Sequence, residues 1–151
     1  MHSVGKNYKK TIITELAEAI SSFNIGEVKS LLSDEGTFAM QNDEAVIVIS
    51  GKEEFVSWLT RCYRKFPFGG RFRKRLGFNI VQSLHHSTGS PIIVFEEGRF
   101  PLLSADQAGN EQSGLVIKSD NNKITGIDFC YLIMKTENPF IYEKRYLTTG
   151  Q

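Results

Sequence analysis

Hydrophobic side chains recur at helical spacing in three stretches of the chain, about 8–23, 25–32 and 51–66. Apolar positions three and four residues apart predict an amphipathic helix in each stretch, with one buried face. Asn24 can cap the second helix, because its side chain can accept a hydrogen bond from a free backbone N–H of the first turn. The third helix opens at Gly51, and the two glutamates that follow suit the positive end of a helix dipole.

The other apolar positions alternate with polar ones or form β-branched runs, and both patterns predict strands. Two strands precede the third helix and four follow it, at about 37–40, 45–49, 73–86, 91–100, 112–119 and 123–134. Asp120-Asn121-Asn122 is a hairpin signal between the last two. This order predicts an α+β fold, in which a curved antiparallel sheet carries the three helices on one face. We expect one domain over 1–151, with a core over about 8–134 and a tail from 135 that lies over the surface.

The composition is that of an ordinary globular domain, with 151 residues, 40% apolar and 23% charged. The net charge of +1 provides no global field that would attract nucleic acid or a membrane. No apolar run approaches the roughly 20 residues of a membrane span, and no secretory signal pattern is present. Cys62 and Cys130 match no metal spacing and no disulfide framework, so we interpret both as core side chains. We therefore predict a cytoplasmic protein with free thiols, no metal and no cofactor.

Three stretches together resemble the nuclear transport factor 2-like superfamily, also called SnoaL-like or ketosteroid isomerase-like. They are the short helix and strand of 24–38, the Gly-x-Glu entry to the third helix in 49–55, and the last hairpin in 116–131. The resemblance implies a cone-shaped sheet wrapped around three N-terminal helices, with a pocket at its wide end. It also implies frequent dimerisation through the outer face of the sheet. Members include isomerases, dehydratases, cyclases, hydrolases and proteins without chemistry, so the fold does not fix an activity.

Candidate catalytic residues are few. The resemblance places the general base of the isomerase branch at or beside Met40, where no side chain can accept a proton near neutral pH. The same resemblance places the donor to the oxyanion near Gln112. Asp128 is a candidate acid or base, with His85 as its partner in a dehydratase-type dyad, if strand alternation turns Asp128 toward the pocket. The alternative is that Asp128 faces solvent or a dimer interface on the opposite face.

Aromatic and polar side chains on the predicted helices and strands are candidates for lining an apolar pocket. Core packing is the alternative for each aromatic ring, and an exposed ion pair with Arg99 is the alternative for Glu97. Trp58 and Tyr63 carry polar tips that could orient a ligand. The predicted ligand-binding residues are Phe38, Met40, Phe55, Trp58, Tyr63, Phe95, Glu97, Gln112 and Tyr131.

The segment 61–75 carries the strongest local charge, with seven basic residues, several aromatic rings and no acidic residue. Such a segment can bind an acidic partner or another polyanion, and a solvated helix end with a basic loop is the alternative. The candidate residues are Arg61, Arg64, Lys65, Arg71, Arg73, Lys74 and Arg75.

Three hypotheses for function follow from these residues. The first is a domain with no demonstrated catalysis that binds a small apolar ligand in the cone and is expected to dimerise. The second is a dehydratase-type lyase or isomerase, and it requires Asp128 inside the pocket. The third is a protein-interaction or immunity-type module, and it requires an exposed basic segment.

Overall fold

The computed structural model of the protein describes residues 11–42, 46–65, 75–81, 90–96, 100–101, 111–135 and 138–146. The helices are α1 (Ile12–Ser21), α2 (Ile25–Leu31) and α3 (Lys52–Lys65). The strands are β1 (Leu32–Gln41), β2 (Ile47–Ser50), β3 (Phe78–Val81), β4 (Ile92–Phe95), β5 (Glu111–Ser119), β6 (Ile124–Lys135) and β7 (Asn138–Tyr146). The predicted α+β class is therefore confirmed.

Side-chain caps fix the first turn of two helices. The Thr11 hydroxyl accepts a hydrogen bond from the Thr14 backbone N–H at 3.1 Å, at the start of α1. The Asn24 side-chain oxygen accepts from the Glu27 N–H at 3.1 Å, which confirms the predicted cap of α2. Each cap satisfies a backbone donor that has no partner inside its own helix.

The strands form one curved sheet in the order β2-β1-β6-β5-β4-β3, and β7 also pairs with β6. All described pairs are antiparallel except β1 with β6, which run parallel. The sheet predicted as antiparallel is therefore mixed, with one parallel pair. Parallel strands need a long connection between them, and here β2, α3 and three further strands lie between β1 and β6 in sequence.

The prediction that the tail from 135 lies over the surface is wrong for residues 138–146. Residues 138–146 form β7, which pairs antiparallel with the second half of β6. Its register runs from Cys130 paired with Tyr146 to Lys135 paired with Asn138. The ordered part of the domain therefore extends beyond the predicted core limit of 134.

The sheet has an inner face that carries the helices and an outer face that points away from them. On β6 the odd-numbered Ile127 and Phe129 belong to the main core with the helices. The even-numbered Cys130 and Leu132 belong to a second apolar cluster with Ile92, Val94 and Val116 on the neighbouring strands. From Ile127 to Leu132 this alternation assigns the described side chains of β6 to the two faces in turn, whereas Ile124, which lies before a register shift against β5, belongs to the main core.

Candidate functional site

Four aromatic rings form a continuous row between α3 and the inner face of the sheet. The ring centroids of Phe38 and Phe55 are 5.7 Å apart, those of Phe55 and Trp58 5.5 Å, and those of Trp58 and Phe129 5.7 Å. All four side chains are buried. We call these four residues the aromatic row. Their mutual contacts fill this part of the interior, as expected for core side chains.

A second group of rings, which we call the aromatic end, consists of Tyr63, Phe95 and Phe100. The rings of Tyr63 and Phe100 stack with centroids 5.9 Å apart, and Phe95 meets Phe100 edge-on at 5.2 Å. Phe23 packs against Tyr63 edge-on at 4.8 Å. Phe100 was not among the predicted site residues, although its apolar ring at the end of a predicted strand was a usable signal.

The polar tips inside this region are bound to the protein's own backbone. The Tyr63 hydroxyl donates to the Ile20 carbonyl at 2.7 Å, and the Ser113 hydroxyl donates to the Phe100 carbonyl at 3.0 Å. Among the residues whose burial is described, Ser21 and Ser113 are the buried polar ones, and none is charged. The described inner face therefore offers a ligand apolar contact and supplies no charged side chain.

Asp128 lies on the outer face, away from the aromatic row. Its β5 partner is Val116, and Val116 belongs to the outer cluster. Its chain neighbours Ile127 and Phe129 point inward. The Asp128 carboxylate accepts a hydrogen bond from the Phe129 N–H at 2.9 Å. The hypothesis that Asp128 faces the inside of the cone is therefore wrong. Alternation along β6 turns this carboxylate away from the helices.

Several predicted site residues cannot be placed by their side chains. His85 and Glu97 lie outside the described residues. For Gln112 and Tyr131 only the backbone is described: Gln112 pairs with Leu132, and Tyr131 pairs with Ser113. Their roles stay predictions.

Met40 belongs to the main core on β1, opposite Val48 of β2. It is buried beside the aromatic row, where its thioether supplies packing. The prediction that no proton acceptor stands at this position agrees with its apolar surroundings.

The described part of the basic segment is divided between two places. Arg61 and Arg64 are exposed and lie one turn apart on α3. Arg75 is exposed near the end of α1, with its guanidinium 3.5 Å from the Ser21 hydroxyl. The side chain of Lys65 and the residues Arg71, Arg73 and Lys74 lie outside the described part.

Arg75 also lines a groove of about 530 Å³ along α1 and the start of α2. Three carboxylates line the same groove, those of Glu15, Glu18 and Glu27. The end of the basic segment therefore meets acidic side chains within its own chain.

Both flanks of residues 66–74 are tied to the end of α1. The Tyr63 hydroxyl binds the Ile20 carbonyl before this stretch, and the Leu76 N–H donates to the Ser21 carbonyl at 2.9 Å after it. These donors bond to carbonyls of the last turn of α1. Such carbonyls receive no hydrogen bond from an N–H of their own helix.

The described residues form neither a metal site nor a helical membrane span. No group of three or more histidine, cysteine or acidic side chains there is placed to hold a metal ion. None of the helices in this part of the chain has the length and apolar character to cross a membrane.

No family model and no curated protein matches this sequence. The chain is similar to a nuclear transport factor 2-like protein of unknown function from Cytophaga hutchinsonii, with 10% identity, a TM-score of 0.48, and coverage of 83% of this chain and 93% of that chain. It is also similar to a protein of ketosteroid isomerase-like fold from Catenulispora acidiphila, with 13% identity, a TM-score of 0.48, and coverage of 81% and 85%. A third similar structure is a cystatin-fold protein from Novosphingobium aromaticivorans, with 15% identity, a TM-score of 0.47, and coverage of 80% and 98%.

Two of these similar structures carry the fold names of the family that the sequence resembles, nuclear transport factor 2-like and ketosteroid isomerase-like.

Proposed function

We propose that the protein is a binding domain that holds an apolar small molecule against the aromatic end, and that it acts without chemistry. The observation that carries this proposal is the make-up of the described inner face. Its rings are buried and its two hydroxyl donors, on Tyr63 and Ser113, are already bound to backbone carbonyls. Ligand pockets are mostly apolar, with few polar groups, and this surface is of that kind.

The aromatic end is a better location than the aromatic row. Rings pack against one another in both groups, with centroids 5.5–5.7 Å apart in the row and 5.2–5.9 Å apart at the aromatic end, so a ligand at either place would have to displace core side chains. Displacement of well-packed core residues costs several kcal/mol, on the order of 2–5 for a large aliphatic or aromatic group. The aromatic end differs from the aromatic row in the two hydroxyl groups near it, those of Tyr63 and Ser113, and ligand pockets combine apolar contact with a few such polar groups. We place the ligand at this end for that reason.

A titration that follows Trp58 fluorescence tests the proposal. Trp58 is the one tryptophan of the chain, it is buried, and it contacts Phe55 and Phe129. We expect hydrophobic carboxylates or polycyclic ketones to change its emission and to raise the melting temperature. A ligand at 100 times its dissociation constant stabilises the folded state by about 2.7 kcal/mol.

Two adjacent residues of β4 provide a matched pair of variants. Phe95 points inward at the aromatic end, whereas Val94 belongs to the outer cluster. Because an aromatic contact contributes roughly 0.5–1.5 kcal/mol beyond its buried area, Phe95→Leu should weaken binding by about 3- to 10-fold. Val94→Ala should leave it within about 2-fold. No response to any apolar compound, or equal effects of the two variants, would overturn the proposal.

A second candidate function is binding of an acidic partner through Arg61 and Arg64. The observation that favours it is that both guanidinium groups are exposed one turn apart on α3. We expect wild-type protein to be retained on a sulfated polysaccharide resin at low salt and to elute as salt screens the contact. Arg61→Glu with Arg64→Glu should abolish retention. The control variant, Lys29→Glu with Lys118→Glu, changes the net charge by the same amount at other exposed positions. An equal loss of retention in this control would refute a specific site at Arg61 and Arg64.

A further inference from the structure

Phe23 has an unusual backbone conformation just after the end of α1. Its φ is 63°, and it is the one residue other than glycine with a positive φ among those that the structure describes. The Phe23 N–H donates to the Ile20 carbonyl at 3.2 Å. The Asn24 N–H donates to the Ala19 carbonyl at 2.9 Å, and the two bonds together form a Schellman motif. Glycine is the usual residue at this position, because it has no Cβ to strain the backbone. A phenylalanine held there against this preference indicates a role for its ring.

The Phe23 ring covers the aromatic end on one side. It meets the Tyr63 ring edge-on, with centroids 4.8 Å apart, while Phe100 stacks on the same ring. Phe23 is half-buried against the main core, whereas Tyr63, Phe95 and Phe100 are each at most 4% exposed. Displacement of a half-buried side chain forfeits less buried apolar surface than displacement of a fully buried one. Of the rings around Tyr63, that of Phe23 therefore costs least to move.

The turn that holds Phe23 lies between the aromatic end and the groove along α1 and α2. Its two chain neighbours, Ser22 and Asn24, line this groove of about 530 Å³, while the Phe23 ring packs on Tyr63. A groove of this size is large enough to admit a small molecule. A compound in the groove would therefore reach the aromatic end once the Phe23 ring moved aside.

We propose that the ligand site at the aromatic end opens by displacement of the Phe23 ring, and that the ligand carries a flat aromatic ring that takes its place against Tyr63. This inference rests on the proposed function, to which it adds the class of ligand and the side chain that admits it. A flat ring restores the ring contact that Phe23 gives up, because paired aromatic rings gain free energy beyond their buried area. A saturated ring of the same size fills the space without restoring that contact. Tyr63 stays in place, since its hydroxyl is bonded to the Ile20 carbonyl at 2.7 Å.

Calorimetric titration of the full chain with 2-naphthol and with decahydro-2-naphthol tests the class of ligand. The two compounds share one two-ring carbon skeleton and one hydroxyl, and they differ in aromaticity. We expect 2-naphthol to bind the wild-type protein about 3- to 10-fold more tightly, which is the ratio that one aromatic ring pair provides. Equal affinities, or tighter binding of the saturated compound, would overturn the proposed class of ligand.

Two substitutions at Phe23 test the displacement of its ring. Phe23→Gly removes both the ring and the backbone strain, whereas Phe23→Ala removes the ring and keeps a Cβ at positive φ. Each variant should bind 2-naphthol about 3- to 10-fold more tightly than wild type, because no ring pair has to be broken first. Ile12→Ala is the matched control, since it shortens another half-buried side chain at the opposite end of α1. Its affinity for 2-naphthol should stay within about 2-fold of wild type.

The outcomes separate this inference from the proposed function. Binding by wild type that is unchanged or weaker in both Phe23 variants would overturn the displacement and leave the binding domain standing. Tighter binding by Phe23→Gly alone would also overturn it, because the backbone and not the ring would then be responsible. Absence of binding in wild type and in every variant would refute the proposed function together with the inference. Circular dichroism of each variant verifies its fold.

Discussion

The hydroxyl of Tyr63 provides the sharpest test of how the end of α1 is held. It donates a buried hydrogen bond of 2.7 Å to the Ile20 carbonyl, while the ring packs on Phe23 and Phe100. Tyr63→Phe removes only the hydroxyl, so the ring contacts persist. The Ile20 carbonyl also accepts from the Phe23 N–H at 3.2 Å, so it keeps one donor in the variant.

The remaining Phe23 N–H decides how much stability the Tyr63→Phe variant should lose. Loss of a hydrogen bond costs about 0.5–1.5 kcal/mol, whereas a buried polar atom left without any partner costs about 1–3 kcal/mol. We therefore expect Tyr63→Phe to lower the free energy of unfolding by about 1 kcal/mol. For a domain of this size that corresponds to a melting temperature lower by about 2–4 °C.

In a urea titration, the loss of stability in Tyr63→Phe should appear as a lower denaturation midpoint. The dependence of the unfolding free energy on urea concentration should not change. Thr60→Val is the matched control, because the Thr60 hydroxyl bonds to the Val56 carbonyl within α3 and its removal should cost under about 0.5 kcal/mol. An unchanged midpoint for Tyr63→Phe would show that the Ile20 bond does not contribute to stability. A loss above about 3 kcal/mol would show that the Phe23 N–H does not satisfy this carbonyl.

Further predictions concern one glycine, one carboxylate and one cap. Gly36→Ala should lower the free energy of unfolding by about 1–3 kcal/mol in a urea titration. The reason is that an added Cβ would lie 2.5 Å from the Phe38 ring and 2.9 Å from the Thr125 carbonyl oxygen. An unchanged free energy of unfolding would contradict this packing. The Lys52 ammonium holds the pKa of Asp34 below its usual value, so this carboxylate stabilises the fold above about pH 4 and loses that effect as pH falls. Asp34→Asn should therefore be less stable than wild type at pH 7 and equal to it in strong acid, and a difference independent of pH refutes the reasoning. Thr11→Ala should cost about 1 kcal/mol by thermal melting, and no change would mean that this cap does not contribute.

The sequence was a good guide where local chemistry decides the structure. The cap at Asn24 is set by one side chain and one turn of backbone, and it was predicted correctly. The start of α3 next to Gly51 was predicted to within one residue for the same reason. The last hairpin also agrees, because Asp120 accepts hydrogen bonds from the Asn122 and Lys123 N–H groups in the turn.

Pairing between distant segments was not predictable in the same way. The parallel pair of β1 and β6 joins residues about ninety positions apart, and no local pattern encodes it. The strand β7 was missed because Pro139 and several charged residues argue against a strand. The only described partner of β7 is β6, and a strand with one paired edge tolerates a proline that a central strand would exclude.

The catalytic hypothesis failed at the choice of face, which alternation alone could not decide. Both faces of the central strands are apolar, and all four residues of β4 are buried. What decides the face of β6 is the contact between Phe129 and Trp58. A shift of β6 by one residue would put Asp128 in place of that ring. Such a shift would forfeit about 1.5–3 kcal/mol of phenyl burial and add the larger cost of a carboxylate in apolar surroundings. The energetics of the core thus keep Asp128 on the outer face, away from the aromatic row.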